Sequence, residues 1–213
     1  MLIDLHVHTK ALSTDSILDP EEAIKEAKRI GLNGICFTEH NKAWEIEKIQ
    51  HLSQKWKFLV INGVEVDTVE GHVLVFGLHR NFEKVIRAHK LREMVNKTGG
   101  VMIAAHPFKG FRIFGFSDLS LSPEQGSKRP IFQSVDALEG FSGKAMEKEN
   151  LLAQEVARLL GMKMTGGSDA HSLGEIGKCV TIFKNNIMDE AGLIEELKGG
   201  RFQAKYFTKS DEQ

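Results

Sequence analysis

The stretch "LDPEEAIKEAKRIG" (18–31), followed by "GICFT" (34–38), indicates the architecture of this chain. Asp19 can cap a helix, Pro20 suits its first turn, and Gly31 suits its end. Between them, apolar residues recur every three or four positions, as on the buried face of a helix. The run at 34–38 is short, apolar and bounded by turn residues, as buried strands are. The stretch therefore predicts one helix that leads into one buried strand.

The same alternation of apolar runs and helical patterns extends along the whole chain. The other predicted strands are "MLIDL" (1–5), "FLVINGVEV" (58–66), "HVLVFGL" (72–78), "VMIAA" (101–105), "VDALEGF" (135–141), "MKMTGG" (162–167) and "CVTIF" (179–183). The other predicted helices are 41–56, 81–100, 146–161 and 188–200. Alternating units of this kind indicate an α/β fold with a parallel sheet. About seven or eight units favour a barrel-like closure over an open doubly wound sheet.

Composition narrows the class of protein. The 213 residues suit a single domain, 1–213, and 28 basic against 29 acidic residues give a formal net charge of -1. This balance gives no global basic excess for binding nucleic acid or an anionic membrane. Cys36 and Cys179 lie in apolar runs and are expected as buried thiols. Because no signal segment or long apolar run is present, we expect a cytoplasmic protein without a membrane partner.

Histidine and carboxylate residues occur mainly where predicted strands end. His6 and His8 flank one valine, and residues so spaced in a strand point to the same face. Others lie in "TEHN" (38–41), "GVEVD" (63–67), "GHVLVF" (71–76), "AAHPF" (104–108) and "GGSDAH" (166–171). The carboxyl ends of parallel strands meet at one rim, so these side chains should converge. Imidazole with carboxylate suits zinc, manganese or iron, and so many ligands imply more than one ion.

Six pieces of the sequence, in this order, resemble the polymerase and histidinol phosphatase (PHP) family. They are "DLHVHT" (4–9), "TEHN" (38–41), "GVEV" (63–66), "GHVLVFG" (71–77), "AAHP" (104–107) and "GGSDAH" (166–171). The resemblance implies a distorted (β/α)7 barrel of the PHP type. It also implies two or three divalent metal ions, Zn, Mn or Fe, at the carboxyl-terminal rim.

The resemblance further implies which residues hold these ions. One ion would be held by His6, His8, Glu65 and Asp169, with Glu65 bridging to a second ion held by His72 and His106. A third would be held by His40 and His171, with Asp15 as an extra ligand. Two features depart from the family: Glu39 stands where it usually has aspartate, and the loop "HTKALSTD" (8–15) is longer than its common form. Asp15 fits turn chemistry equally well.

The implied activity is hydrolysis of a phosphate ester by a metal-bridging hydroxide, because bound metal lowers the pKa of water from about 15.7 to near 7. The candidate catalytic residues are Glu65, His106 and Asp169. The candidate substrate-binding residues are Lys109, Arg112 and Lys144, whose positive charge suits a phosphoryl group but equally fits solvated loop residues.

The expected substrate is a small phosphomonoester, a nucleotide or the end of a short nucleic acid. Two alternatives remain open: an amidohydrolase-like enzyme acting on a carbonyl substrate, and a non-catalytic, metal-binding regulatory domain. The phenylalanines of "FKGFRIFGF" (108–116) could stack on a base or simply pack their loop down. His51, His79 and His89 are expected at the surface.

Overall fold

The strands of the chain join edge to edge into one sheet. The computed structural model describes residues 1–110 and 121–207, and within them the sheet has nine strands. They are β1 (Leu2–Val7), β2 (Gly34–His40), β3 (Leu59–Thr68), β4 (Gly71–Phe76), β5 (Val101–Ala104), β6 (Ala137–Ser142), β7 (Lys163–Gly167), β8 (Cys179–Phe183) and β9 (Phe202–Tyr206). Their order in the sheet is β7-β6-β5-β4-β3-β2-β1-β8-β9.

Helices lie between most of the strands and confirm the five predicted helical segments. They are α1 (Pro20–Arg29), α2 (Ile46–Trp56), α3 (Ala88–Thr98), α4 (Pro123–Gly126), α5 (Glu147–Leu160) and α6 (Glu190–Gly199). Short 3-10 turns occupy Pro130–Gln133 and Leu173–Glu175. The short helix α4 and the first of these turns lie in the 107–134 stretch, which carried no predicted element.

The start of α1 follows directly from its sequence. The Asp19 carboxylate accepts hydrogen bonds from the backbone N–H groups of Glu21 (3.0 Å) and Glu22 (3.3 Å). These bonds pair N–H groups that have no partner within the helix. The apolar face, including Ile24, then packs into the same buried cluster as Phe37 of β2. Capping and burial together place α1 against the sheet.

The sheet curls into a nearly closed barrel. The strands β1, β2 and β3 are mutually parallel, and so are β5, β6 and β7. Just after β7, Ala170 forms a parallel bridge with Val7 of β1. The backbone N–H of His8 also donates to the carbonyl oxygen of Ala170 at 2.9 Å. These contacts join the edge strand β7 to β1, at the other side of the sheet, and confirm the predicted α/β, barrel-like fold.

The strand directions differ from a uniform series of seven β/α units. The strand β4 runs antiparallel to both β3 and β5 and follows β3 without a helix. The strands β8 and β9 form an antiparallel pair beside β1. An apolar stretch of sequence predicts a strand but not the direction of that strand in the sheet. The two strands of a hairpin therefore look, in the sequence, like the strands of two separate β/α units.

The core is apolar and contains both cysteines. Phe37, Phe76 and Phe183 are among the largest fully buried side chains. Cys36 and Cys179 are buried free thiols, as predicted, and burial raises the pKa of each. Among the described residues, no helix has the length and apolar character needed to cross a lipid bilayer.

Candidate metal centre

His6 and His8 lie at the end of β1 and point the same way. Both residues are fully buried, and their Nε2 atoms are 3.0 Å apart. The alternation of side chains along an extended strand produces this arrangement. The two imidazoles therefore present nitrogen donors to a common point at the rim of the barrel.

Glu65 of β3 lies at the centre of the cluster and contacts imidazoles through both carboxylate oxygens. Its Oε1 is 3.0 Å from His72 Nδ1 and 3.0 Å from His106 Nε2. Its Oε2 is 2.9 Å from His40 Nδ1. Burial works to raise the pKa of Glu65, but the imidazoles, His6 first, outweigh it and hold the pKa well below its ordinary value. The carboxylate is therefore ionised where it joins the histidines on either side.

Asp169, which follows β7, faces the same two histidines of β1. Its Oδ1 is 3.4 Å from His8 Nε2 and 3.6 Å from His6 Nε2. Burial is the largest effect and works to raise its pKa, but His6, His8 and His106 together outweigh it and lower the pKa. Asp169 and His106 both adopt left-handed backbone conformations, with φ of 55° and 26°. Such conformations cost about 1–3 kcal/mol each and are concentrated at functional sites.

Asp15, His40 and His171 form the outer edge of the cluster. Asp15 Oδ2 is 3.2 Å from the Nε2 atom of His40 and 3.2 Å from that of His171. The side chain of Asp15 is 55% exposed. The longer loop at 8–15 thus carries Asp15 to the other candidate ligands, and its role as a ligand stays a prediction.

His72 reaches the same rim although it lies near the start of its strand. Because β4 is antiparallel to its neighbours, its first residues lie beside the last residues of β3 and β5. His72 Nδ1 faces Glu65, and its Nε2 is 3.5 Å from Asp67 Oδ1. The Asn41 side chain donates to Asp67 Oδ2 at 2.8 Å. His72 is 43% exposed and therefore lies at the mouth of the cluster.

The donor atoms fit divalent metal ions. Three sets have ligand atoms within 4.8 Å of one another, namely His6 with His8 and Asp169, His6 with Glu65 and His106, and His8 with His40 and His171. In addition, Glu65 Oε2 is buried and accepts no aligned hydrogen bond from the described part of the chain, although His40 Nδ1 lies 2.9 Å away. A buried carboxylate oxygen without a donor is costly unless another group, such as a cation, satisfies it. Mixed nitrogen and oxygen donors suit zinc, manganese or iron.

The two described candidates for substrate binding occupy different parts of the rim. Lys109 Nζ is 2.5 Å from Asp169 Oδ2, at the centre of the cluster. Burial works to lower the pKa of Lys109, but the neighbouring carboxylates, Asp169 first, together outweigh it and raise the pKa. Lys144 Nζ is 3.2 Å from Glu175 Oε1, and Glu175 accepts the backbone N–H of His171 at 2.9 Å. Lys144 therefore lies beside the outer edge.

The remaining candidate, Arg112, lies outside the described residues, as do Phe111, Phe114 and Phe116. Phe108 is 2% exposed and packs against Phe132, with ring centroids 6.2 Å apart. This phenylalanine is therefore a packing residue of its loop.

Comparison with known proteins finds relatives and solved structures that resemble this chain. A family model described as PHP-associated matches residues 147–202. A probable phosphatase of Thermoanaerobacter sp. (strain X514) is 24% identical over 224 residues, covering 92% of this chain and 89% of that protein. A crystal structure from Bifidobacterium adolescentis, named as a candidate metal-dependent phosphoesterase, matches with a TM-score of 0.64 at 17% identity, covering 92% of this chain and 95% of that one. These matches support a resemblance of the chain to PHP-family phosphoesterases.

The matches confirm the resemblance stated from the sequence, and the names of these relatives agree with the prediction of a hydrolytic enzyme. A further solved structure with a similar fold is an amidohydrolase from Chromobacterium violaceum with bound sulfate and no metal. It matches with a TM-score of 0.62 at 15% identity, covering 81% of this chain and 88% of that one. At this level of identity the match supports the fold alone.

The structure gives Glu39, the departure from the usual PHP sequence, a clear role. Its buried carboxylate accepts hydrogen bonds from the backbone N–H of Thr9 (2.9 Å), the Ser13 hydroxyl (2.6 Å) and the Trp44 indole N–H (2.8 Å). Glu39 therefore ties the longer loop, which leads to Asp15, to β2. The sequence signal was present, since the unusual residue and the unusual loop occur together in this chain.

Glu139 of β6 is a residue of this cluster that sequence reasoning missed. Its Oε1 is 3.1 Å from His6 Nδ1, and its Oε2 accepts the backbone N–H of His106 at 2.9 Å. The run "VDALEGF" predicted the strand, but nothing in its spacing points to a contact with residues so distant along the chain.

Proposed function

We propose that this chain hydrolyses phosphate esters with the aid of divalent metal ions held in the cluster around Glu65. The observation that carries the proposal is the convergence of buried imidazole and carboxylate donors on that residue. Glu65 is fully buried, and its Oε2 accepts no aligned hydrogen bond from residues 1–110 and 121–207, although His40 Nδ1 lies 2.9 Å away. A buried, ionised oxygen in this position suits a cation.

The proposed ligands follow the grouping implied by the family resemblance. One ion would be held by His6, His8, Glu65 and Asp169, a second by Glu65, His72 and His106, and a third by His40, His171 and Asp15. Ions of this kind, when bound, activate water for attack and polarise phosphoryl oxygens.

Glu65, His106 and Asp169 are the proposed centre of the reaction, and Lys109 and Lys144 the proposed substrate contacts. Glu65 contacts histidines through both oxygens, so it would be the shared ligand of two ions. Lys109 lies against Asp169 and Lys144 beside the outer edge, so positive charge flanks the cluster on two sides. An ammonium group offers three donors, which suits the oxygens of a phosphoryl group.

Among phosphate esters, a small phosphomonoester fits best, including a nucleotide or the end of an oligonucleotide. The mouth of the cluster is open, because Asp15 is 55% and His72 is 43% exposed. A formal net charge of -1 supplies no excess of basic residues that would track a long nucleic acid. The substrate is therefore expected to enter with its phosphate first and to leave the rest of the molecule outside.

An amidohydrolase-like reaction on a carbonyl substrate is the second candidate. The observation that favours it is the similar fold of the Chromobacterium violaceum amidohydrolase. The two lysines at the rim favour phosphate instead, because a neutral carbonyl substrate gains little from them.

The test is hydrolysis of a substrate panel by protein that has been stripped with a chelator and reloaded with Mn²⁺ or Zn²⁺. The panel comprises p-nitrophenyl phosphate, bis-p-nitrophenyl phosphate, and simple amides and esters. We expect metal-dependent release of p-nitrophenol from the monoester. Turnover of amides alone would favour the second candidate, and metal binding without any turnover would favour a regulatory domain.

A matched pair of histidine variants separates the site from general effects. His106→Ala should lower kcat/KM by about 100-fold or more, since it removes a proposed ligand. His51→Ala changes an exposed histidine of α2 and should leave kcat/KM unchanged.

A further inference from the structure

Glu139 is a buried carboxylate beside the cluster and outside the proposed ligand set. It is 1% exposed. One oxygen faces His6 Nδ1 at 3.1 Å, and the other accepts the backbone N–H of His106 at 2.9 Å. A single side chain on β6 thus contacts residues from β1 and from the end of β5.

The first contact determines which nitrogen of His6 is free. A neutral imidazole carries one N–H, and a carboxylate opposite Nδ1 holds the proton on that nitrogen. The lone pair of Nε2 is then directed toward the cluster. His6 Nε2 lies 3.5 Å from Glu65 Oε2 and 3.6 Å from Asp169 Oδ1. Glu139 therefore fixes His6 in the form that a metal ion requires.

The second contact acts on the backbone of His106. This residue has a φ of 26°, a conformation that side chains other than glycine rarely adopt. A charge-assisted hydrogen bond to its N–H stabilises that conformation. Because Nε2 of His106 is 3.0 Å from Glu65 Oε1, the backbone at His106 sets the position of a proposed ligand.

Gly167 supplies an independent sign that the pair of His6 and Glu139 is built into the fold. A Cβ atom at position 167 would lie 2.7 Å from Glu139 Oε1 and 2.5 Å from His6 Cβ. Both distances are shorter than real Cβ contacts allow, so only glycine leaves room for the pair. The end of β7 is therefore shaped around this contact.

We propose that Glu139 is a positioning residue that fixes the tautomer of His6 and the backbone of His106 for metal binding. The inference rests on the proposed role of these two histidines as ligands. Outer partners of this kind typically change metal affinity by about 10- to 100-fold when they are removed.

The test compares Glu139→Gln with Glu196→Gln by titrating Zn²⁺ and Mn²⁺ into chelator-stripped protein in a calorimeter. The single oxygen of glutamine can accept from one of the two donors, while its NH₂ group opposes the other. We expect Glu139→Gln to weaken binding by about 10- to 100-fold. Glu196 is also buried but pairs with Arg201 at 2.7 Å, and Glu196→Gln should bind as the wild type does.

An unchanged affinity in folded Glu139→Gln overturns this inference alone. A wild-type protein that binds neither ion overturns the proposed function and this inference with it. Nitrogen-15 NMR of the Zn²⁺-loaded wild type gives a result that does not depend on how the variant folds. We expect His6 to carry its proton on Nδ1, and a proton on Nε2 would overturn the inference.

Discussion

Removing the metal ions should lower the melting temperature by an amount that reports how many ions bind. The donors come together only in the folded chain, because His6, His8 and Glu65 are fully buried and lie on different strands. An ion that binds only the folded state stabilises it by about 2.7 kcal/mol when its concentration is 100 times Kd. In a chain of 213 residues, about 1 kcal/mol shifts Tm by roughly 2–4 °C. Each ion should therefore raise Tm by about 5–11 °C.

The assay is differential scanning calorimetry of stripped protein across a series of Mn²⁺ or Zn²⁺ concentrations. Above saturation, each tenfold increase in free metal adds about 1.4 kcal/mol for every bound ion, or roughly 3–6 °C. The slope of Tm against the logarithm of metal concentration therefore distinguishes two ions from three.

Two histidine variants accompany this measurement. His89→Ala removes an exposed histidine of α3 and should keep the full shift. His8→Ala removes a fully buried donor and should lose much of it. The reasoning is refuted if metal leaves Tm unchanged in the wild type, or if His8→Ala shows the same shift as the wild type.

Three further predictions concern pH, the loop anchor and the two lysines. Burial opposes the charge on His6, but the neighbouring carboxylates outweigh it and raise the pKa well above 6.5. Protonated His6 therefore makes its full contribution to stability below pH 6.5 and loses it as the pH rises through the raised pKa. Because the pKa of Glu65 is lowered, its carboxylate makes its full contribution to stability above pH 4.5 and loses it on acidification. The Tm measured in chelator should therefore be highest between pH 4.5 and 6.5. Glu39→Ala should lower the free energy of unfolding in urea by about 3 kcal/mol, because it leaves several buried donors unpaired. Lys109→Gln should raise KM for p-nitrophenyl phosphate by about tenfold, and Lys144→Gln by a smaller factor, because Lys109 lies nearer the centre.

Each of these predictions has an outcome that contradicts it. A Tm in chelator that keeps rising from pH 6.5 to 8.5 would contradict the pH argument. An unfolding free energy of Glu39→Ala within about 0.5 kcal/mol of the wild type would show that the loop does not depend on Glu39. Equal KM values for both lysine variants would remove the distinction between the two parts of the rim.

The convergence of the candidate ligands could be predicted because it depends on local rules. Alternation along β1 places His6 and His8 on one face, and parallel strands bring their ends to a common rim. The direction of β4 could not be read from its apolar pattern, so the position of His72 at the start of a strand had no explanation until the hairpin was seen. The strand β9 was likewise missed.

The supporting contacts were beyond the reach of sequence patterns. His6 and Glu139 are 133 positions apart, and Thr9 and Glu39 are 30 apart. Such pairs depend on how the barrel closes, and nothing in the spacing of either residue specifies its partner. The departure at Glu39 was visible in the sequence, but the donors it binds became clear only from the fold.

The position of β1 between β2 and β8 in the sheet has a consequence for biosynthesis. Leu2 pairs with Ile182, so β1 is flanked on one side by a segment that is translated long after it. Asp169, too, emerges long after the imidazole pair. A nascent chain therefore carries scattered donors of low affinity until Asp169 has been translated, and we expect ions to be captured only after that point.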